Sequence, residues 1–159
     1  MIELYFFRHG PAGSKSGWTG EDAERPLTAR GREITVGVAR RLAEAGLELD
    51  VIVTSPYVRA RQTAEIASSA LHVGSALETD DLLMPGFGPQ ELRSILARHP
   101  DAHRIMLVGH EGDFSSVVGR LIGSADLVLR KAGVAMVELA DAGSEHGTLR
   151  WLAPPSLLA

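Results

Sequence analysis

Three stretches of this chain end apolar runs on residues that can do chemistry: Arg8-His9-Gly10, Arg59 within Ser55-Pro56-Tyr57-Val58-Arg59-Ala60-Arg61-Gln62-Thr63-Ala64, and His110 within Val108-Gly109-His110-Glu111. Two arginines and two histidines, with no Asp-x-Asp nearby and no cysteine anywhere in the chain, describe a cation-rich pocket. Guanidinium forks match phosphate oxygens bidentately, so such a pocket suits a phosphoryl group. A neutral imidazole can be a nucleophile, and with no serine elbow and no thiol available His9 is the best candidate for one. Taken alone, Arg-His-Gly is three common residues, and any one of the four polar groups can be a satisfied structural residue. What gives them weight is where they fall.

Ile2-Glu3-Leu4-Tyr5-Phe6-Phe7 has little apolar alternation, as expected of a central parallel strand covered by helices on both faces. Open α/β sheets bind ligands just beyond the carboxyl ends of their strands, which is where Arg8 and His9 stand, and Gly10 lets the backbone turn and approach a ligand closely. Val51-Ile52-Val53-Thr54 is a second buried strand. Ser55-Pro56 is expected to open a helix running to about Leu71, with Arg59 in its first turns near the strand tip and Arg61 on a different face. Arg104 to Gly109 is a third strand, with His110 at its tip. Independent placement of all four groups at one edge of one sheet is improbable by chance, so Arg8, His9, Arg59 and His110 are expected to converge.

The remaining elements frame that edge. From Gly10 to Pro26, glycine and proline punctuate a loop expected to fold over the first strand tip. Its Gly-Pro-Ala-Gly-Ser-Lys-Ser run fails as a phosphate-binding P-loop because the Lys-Ser pair does not follow a glycine at a helix head, and Lys15 reads as a solvated loop charge. Thr28 caps an amphipathic helix carrying Ile34, Val38 and Leu42 to about Ala45, with Gly46 as its stop and Arg30, Arg32, Arg40 and Arg41 on a solvated face. His72 to Gly88 is irregular, with a brief strand near Leu77 and then a loop over the site. Gln90 to Arg98 is a helix ended by His99-Pro100, and that proline breaks any metal pairing of His99 with His103, which both read as surface residues. Gly112 to Ile122 is helical. Val134–Leu139 and Thr148–Leu152, joined by a short loop, are antiparallel neighbours at one edge. The fold class is α/β, with a mostly parallel central sheet and an antiparallel edge.

Composition narrows the function classes. A chain of 159 residues is expected to form a single domain, 1–159, and at 45% hydrophobic and 23% charged it reads as an ordinary globular protein. Its net charge of −4 argues against a broad nucleic-acid-binding face. The absence of cysteine excludes disulfides, thiolate metal sites and a cysteine nucleophile. No run reaches transmembrane length and the start lacks a basic signal region, so no membrane association and a cytoplasmic location are the expectations.

In this order, Arg8-His9-Gly10, Ser55-Pro56 through Arg59-Ala60 to Gln62-Thr63, and Val108-Gly109-His110-Glu111 resemble the histidine phosphatase superfamily. Arg25-Pro26-Leu27-Thr28 and Leu83-Met84-Pro85-Gly86 resemble its SixA phosphohistidine phosphatase branch, and the resemblance runs from residue 2 to about residue 155. It implies a three-layer α/β/α, phosphoglycerate-mutase-like fold. It makes His9 the phosphorylated nucleophile, Arg8 and Arg59 the phosphate clamps, and His110 a donor to the transferring oxygens, with Gly10 lining the substrate site. It implies no metal, no cofactor, and a phosphohistidine-bearing protein as partner. For His9 to attack, its other ring nitrogen has to be held as a donor, for instance to a backbone carbonyl.

Superfamily members acting as mutases and ester phosphatases place an acidic residue in the mid-chain loop as general acid. Here Leu82-Leu83-Met84-Pro85 occupies that stretch, with Glu78, Asp80 and Asp81 nearby. Asp81, Glu78 and Glu111 are the candidates left open, and Glu111 can equally cap the following helix. Only about thirty residues separate Leu71 from Arg104, too few for a large lid, so an open, shallow pocket is expected. The leading reading is removal of phosphate from a protein phosphohistidine through a phosphohistidine enzyme intermediate. The alternatives are a phosphatase of small phosphate esters using the same pocket, and a module that binds a phosphorylated ligand without turnover. A pure binding module has no need of an attacking histidine.

Overall fold

The computed structural model describes residues 1–124 and 126–158. Six strands form one sheet: β1 (Ile2–Arg8), β2 (Val51–Thr54), β3 (Leu77–Thr79), β4 (Arg104–Gly109), β5 (Val134–Leu139) and β6 (Gly147–Ala153). Their order is β3-β2-β4-β1-β5-β6. The helices are α1 (Ala29–Glu44), α2 (Val58–Leu71), α3 (Pro89–Arg98), α4 (Asp113–Ile122) and the short α5 (Pro155–Leu158). This is a three-layer α/β/α arrangement of the phosphoglycerate-mutase type.

The layers follow from the strand period of two. Tyr5 and Phe7 of β1 join Ile52, Met106 and Val134 in a cluster against Val38 and Leu42 of α1 and Ala60, Ala64 and Ala67 of α2. Leu4 and Phe6 face the other way, into a cluster with Ile95 and Leu96 of α3 and Phe114, Val117 and Val118 of α4. Small alanines on α2 let that helix lie close to the sheet, which brings its first turns against the strand tips.

The first strand, expected to be a central parallel strand, is central but parallel on one side only. It pairs in parallel with β4 but antiparallel with β5, so it is the seam between the two halves of the sheet. The cause lies past α4, where the chain crosses the carboxyl tip of β1 before entering β5. There Ala132 donates its N–H to His9 O and Gly133 O accepts from Arg8 N. The β5–β6 pair is the expected antiparallel edge.

Thr28 caps α1, its hydroxyl accepting from Gly31 N at 2.9 Å, and Gly46 follows the helix at a φ of +80°. Helix α2 begins at Val58, two residues later than a Ser55 cap would start it, because Ser55 makes tertiary contacts instead of capping it. Gln90–Arg98 gains one residue as α3, with Glu91 accepting from Gly88 N. His99, expected at the surface, is partly buried and pairs with Glu78. No helix among the described residues is long and apolar enough to cross a membrane.

Where the 10–26 loop passes over the start of α1, a Cβ placed on Gly31 would lie 1.9 Å from the Pro11 carbonyl oxygen. Helix propensity alone favours alanine over glycine there by about 1 kcal/mol. Overpacking against a fixed backbone atom costs about 1–3 kcal/mol or more. Gly31→Ala is therefore expected to lower the urea midpoint, and a variant more stable than wild type would show that the loop yields freely.

Candidate active site

The tips of β1 and β4 and the start of α2 bring Arg8, His9, Arg59 and His110 into one cluster. The His9 and His110 rings have centroids 5.4 Å apart, and both side chains are buried. Arg59, from the second residue of α2, is 5% exposed and sends its Nε to within 3.3 Å of His9 Nε2. Arg61 points away, exposed and paired with Glu65, as helical geometry requires.

The orientation of His9 is fixed by its own backbone. Its Nδ1 lies 2.7 Å from Gly10 O, and a carbonyl can only accept, so Nδ1 carries the proton and the lone pair is at Nε2. Gly10 is held in turn: its N–H donates to Thr63 Oγ1 at 3.1 Å, and that hydroxyl donates to Arg59 O. A Cβ on Gly10 would meet Thr35 Oγ1 at 2.2 Å, so only glycine fits between α1, α2 and the first strand tip.

The second histidine has its own support. His110 Nε2 lies 2.8 Å from Ser55 Oγ, which also accepts from Tyr57 N at 3.2 Å. Tyr57 packs edge-on against the His110 ring, and the Arg59 guanidinium carbon lies 5.0 Å from the centroid of the Tyr57 ring. Burial, opposed by the hydrogen bond to Gly10 and reinforced by His110, Arg59 and Arg8, pushes His9 down to about 3. Burial and the neighbouring Arg59 push His110 down to about 4. Both imidazoles are neutral at physiological pH.

Both arginines are tethered by their terminal nitrogens. Arg8 Nη1 donates to Leu129 O at 2.9 Å, and Arg8 Nε is buried with no hydrogen-bond partner among the described residues. A buried donor of that kind awaits an acceptor, and an oxyanion is the acceptor that two guanidinium groups favour. Arg59 Nη1 and Nη2 are taken up by Asp22. Among the described residues no three His, Asp or Glu side chains are grouped so as to hold a metal ion.

The candidate acids are engaged elsewhere or face solvent. Glu78 pairs with His99, Asp80 with Arg98, and Asp81 is exposed. Glu111 accepts from the N–H groups of Gly112, Ser115 and Leu129 and from the Ser115 hydroxyl. It thereby holds the segment whose carbonyl tethers Arg8. The mid-chain loop reaches the site edge, with Leu83 O beside Gly109 and Gly86 N bonded to Asp113. Sequence reasoning missed Asp22, Ser55 as a histidine partner, Tyr57 and Thr63. A polar residue at a strand tip is a usable signal for Ser55, whereas Asp22 lies in a loop without periodicity.

A family model described as "Histidine phosphatase superfamily (branch 1)" matches residues 4–91. An uncharacterized protein of Picosynechococcus sp. (strain ATCC 27264 / PCC 7002 / PR-6) is 38% identical over 143 residues, covering 84% of this chain and 82% of that protein. Phosphohistidine phosphatase SixA of Escherichia coli (strain K12) is 24% identical over 159 residues, covering 97% of this chain and 94% of that one. The solved structure of the protein histidine phosphatase SixA complexed with tungstate superposes with a TM-score of 0.86 at 23% identity, covering 99% of this chain and 100% of that chain.

The neutral histidines have a consequence for stability. Once unfolded, each protonates near 6.5, so below that pH the unfolded chain binds protons that the folded chain refuses. The sign follows: stability is complete above about pH 6.5 and is lost as pH falls toward the folded values of about 4 and about 3. Chemical denaturation is expected to show a loss on the order of 1 kcal/mol per pH unit per histidine between about pH 6.5 and 4.5. A midpoint unchanged across that range would mean that the imidazoles protonate without unfolding.

Proposed function

The chain belongs to the histidine phosphatase superfamily, and on that footing we propose that it removes the phosphoryl group from a phosphohistidine side chain of another protein, without a metal, through a covalent phosphohistidine at His9. The observation that carries the reading is the His9 tautomer, whose lone pair at Nε2 lies beside Arg59 Nε. In the first step Nε2 forms a bond to phosphorus as the phosphorus–nitrogen bond of the substrate breaks; the substrate ring already carries a proton on its other nitrogen, so the bond's electron pair leaves on a neutral imidazole. In the second step water attacks the phosphoryl group on Nε2, restoring neutral His9 and releasing inorganic phosphate. Loose phosphoryl transition states need positioned positive charge more than covalent help, which Arg8 and Arg59 supply. If the Ser55 hydroxyl donates to Nε2 of His110, the remaining ring proton is on Nδ1 and available to a phosphoryl oxygen.

The engagement of Glu78 and Glu111, with Asp81 exposed to solvent, supports phosphohistidine over an ester. An alkoxide leaving group is strongly basic and gains ~10²–10⁴-fold from a positioned acid. Imidazole is far less basic and departs without one. The similarity to a phosphohistidine phosphatase of Escherichia coli points the same way.

The test is a brief exposure to a protein radiolabelled at phosphohistidine, followed by an alkaline quench that spares phosphohistidine. Label is expected on the wild-type chain and not on His9→Ala, with turnover of the protein substrate exceeding that of a panel of sugar phosphates. Label on His9→Ala, or a sugar phosphate as the better substrate, would overturn the reading.

A further inference from the structure

Asp22 has no place in the chemistry above, yet its side chain and backbone engage Arg59. The short turn Asp22–Glu24 lies toward the end of the 10–26 loop. Its first residue offers Arg59 two acceptors, the backbone carbonyl to Nη1 at 2.8 Å and carboxylate Oδ2 to Nη2 at 3.1 Å. The other carboxylate oxygen, Oδ1, is held by Arg25 Nε at 3.1 Å. Arg25 is anchored in its turn, donating from Nη1 to the carbonyls of Ala12 and Gly13, just downstream of the catalytic strand tip. The loop, Arg25, Asp22 and Arg59 thus form one hydrogen-bonded chain ending at His9 Nε2.

A planar guanidinium presents two forks: an end fork made by Nη1 and Nη2, and a side fork made by Nε and the other proton of Nη2. Asp22 occupies the end fork. The side fork includes the Nε that faces the His9 lone pair, so a phosphoryl group arriving at Nε2 meets the fork that Asp22 leaves free. Arg8 repeats the pattern, tied through Nη1 to Leu129 O with Nε unpartnered among the described residues.

We propose that Asp22 is a positioning residue that holds Arg59 end-on and thereby aims its side fork at the phosphoryl group on its way to His9. This rests on the clamp role of Arg59 in the proposed reaction. A second possibility makes the opposite forecast: an aspartate that merely competes with the phosphoryl group for Arg59 would weaken anion binding, and its removal would tighten it. The carboxylate is ionised in either case. Burial pushes it up, but hydrogen bonds and charge from Arg25 and Arg59 outweigh burial and hold it below the usual carboxylate range.

The experiment compares wild type, Asp22→Ala and Asp22→Asn in two assays: calorimetric binding of orthovanadate, and steady-state turnover of phosphoramidate, a small compound with a phosphorus–nitrogen bond. A swung guanidinium is a lost transition-state contact, so kcat for Asp22→Ala is expected to fall ~10²-fold with a smaller change in KM. Orthovanadate affinity is expected to fall in parallel. Asp22→Asn keeps an acceptor for Nη2 and is expected to recover part of the loss, although it removes the same charge. Circular dichroism melts separate this from loop collapse, because a purely structural role predicts a lower melting temperature and unaltered kcat well below it. Tighter orthovanadate binding by Asp22→Ala, kcat of Asp22→Ala equal to wild type, or Asp22→Asn no better than Asp22→Ala would overturn the proposal. Wild-type protein that binds orthovanadate but fails to cleave phosphohistidine would remove the substrate assignment, and the orthovanadate comparison would still decide Asp22.

Discussion

His9 donates from Nδ1 to the carbonyl of the next residue over 2.7 Å, and with that proton committed the ring has a single lone pair, at Nε2, facing Arg59 Nε. Much of the surrounding structure serves to keep this geometry. The carbonyl is held in place by the contacts of Gly10 itself: Thr63 of α2 accepts from its N–H while Thr35 of α1 leaves no room for a Cβ. The loop beyond is seated by the close approach of Pro11 to Gly31. A side-chain tautomer is thus set by contacts to both helices on one face of the sheet.

The second dependence is electrostatic. Two guanidinium groups beside two imidazoles would be costly if all four were charged, and burial resolves this by keeping both histidines neutral. The arginines remain cationic. Their cost is offset by fixed partners at the terminal nitrogens: Leu129 O for Arg8 and Asp22 for Arg59. What is left over among the described residues, one unpartnered buried Nε and a side fork beside His9, suits the phosphoryl group of the proposed reaction. The proposed catalytic power resides in preorganised charge, which needs no rearrangement when the substrate arrives.

The sheet and its functional edge were legible because buried strands and strand tips leave short-range marks. Apolar runs ending on Arg8-His9 and His110 could be read directly, and the spacing that separates Arg59 from Arg61 followed from helix geometry. The antiparallel partner of β1 could not be foreseen, since it depends on the crossing at Ala132 and Gly133, a long-range contact with no local pattern. Ser55 was read as a helix opener because Ser-Pro usually is one, and tertiary demand from His110 overrode that preference. Asp22 was invisible for a related reason: a carboxylate in a glycine-rich loop has no period to place it, and its meaning comes wholly from the guanidinium it meets.

The central claim is that His9 is neutral with its proton on Nδ1. Long-range nitrogen–proton NMR of uniformly nitrogen-15-labelled protein reports this directly, with the His9 signals assigned by their loss in His9→Ala. The expected spectrum shows an unprotonated Nε2 and a protonated Nδ1 for His9, unchanged from about pH 8 down to about pH 5. A His9 that becomes an imidazolium near pH 6.5, or that holds its proton on Nε2, would contradict the account.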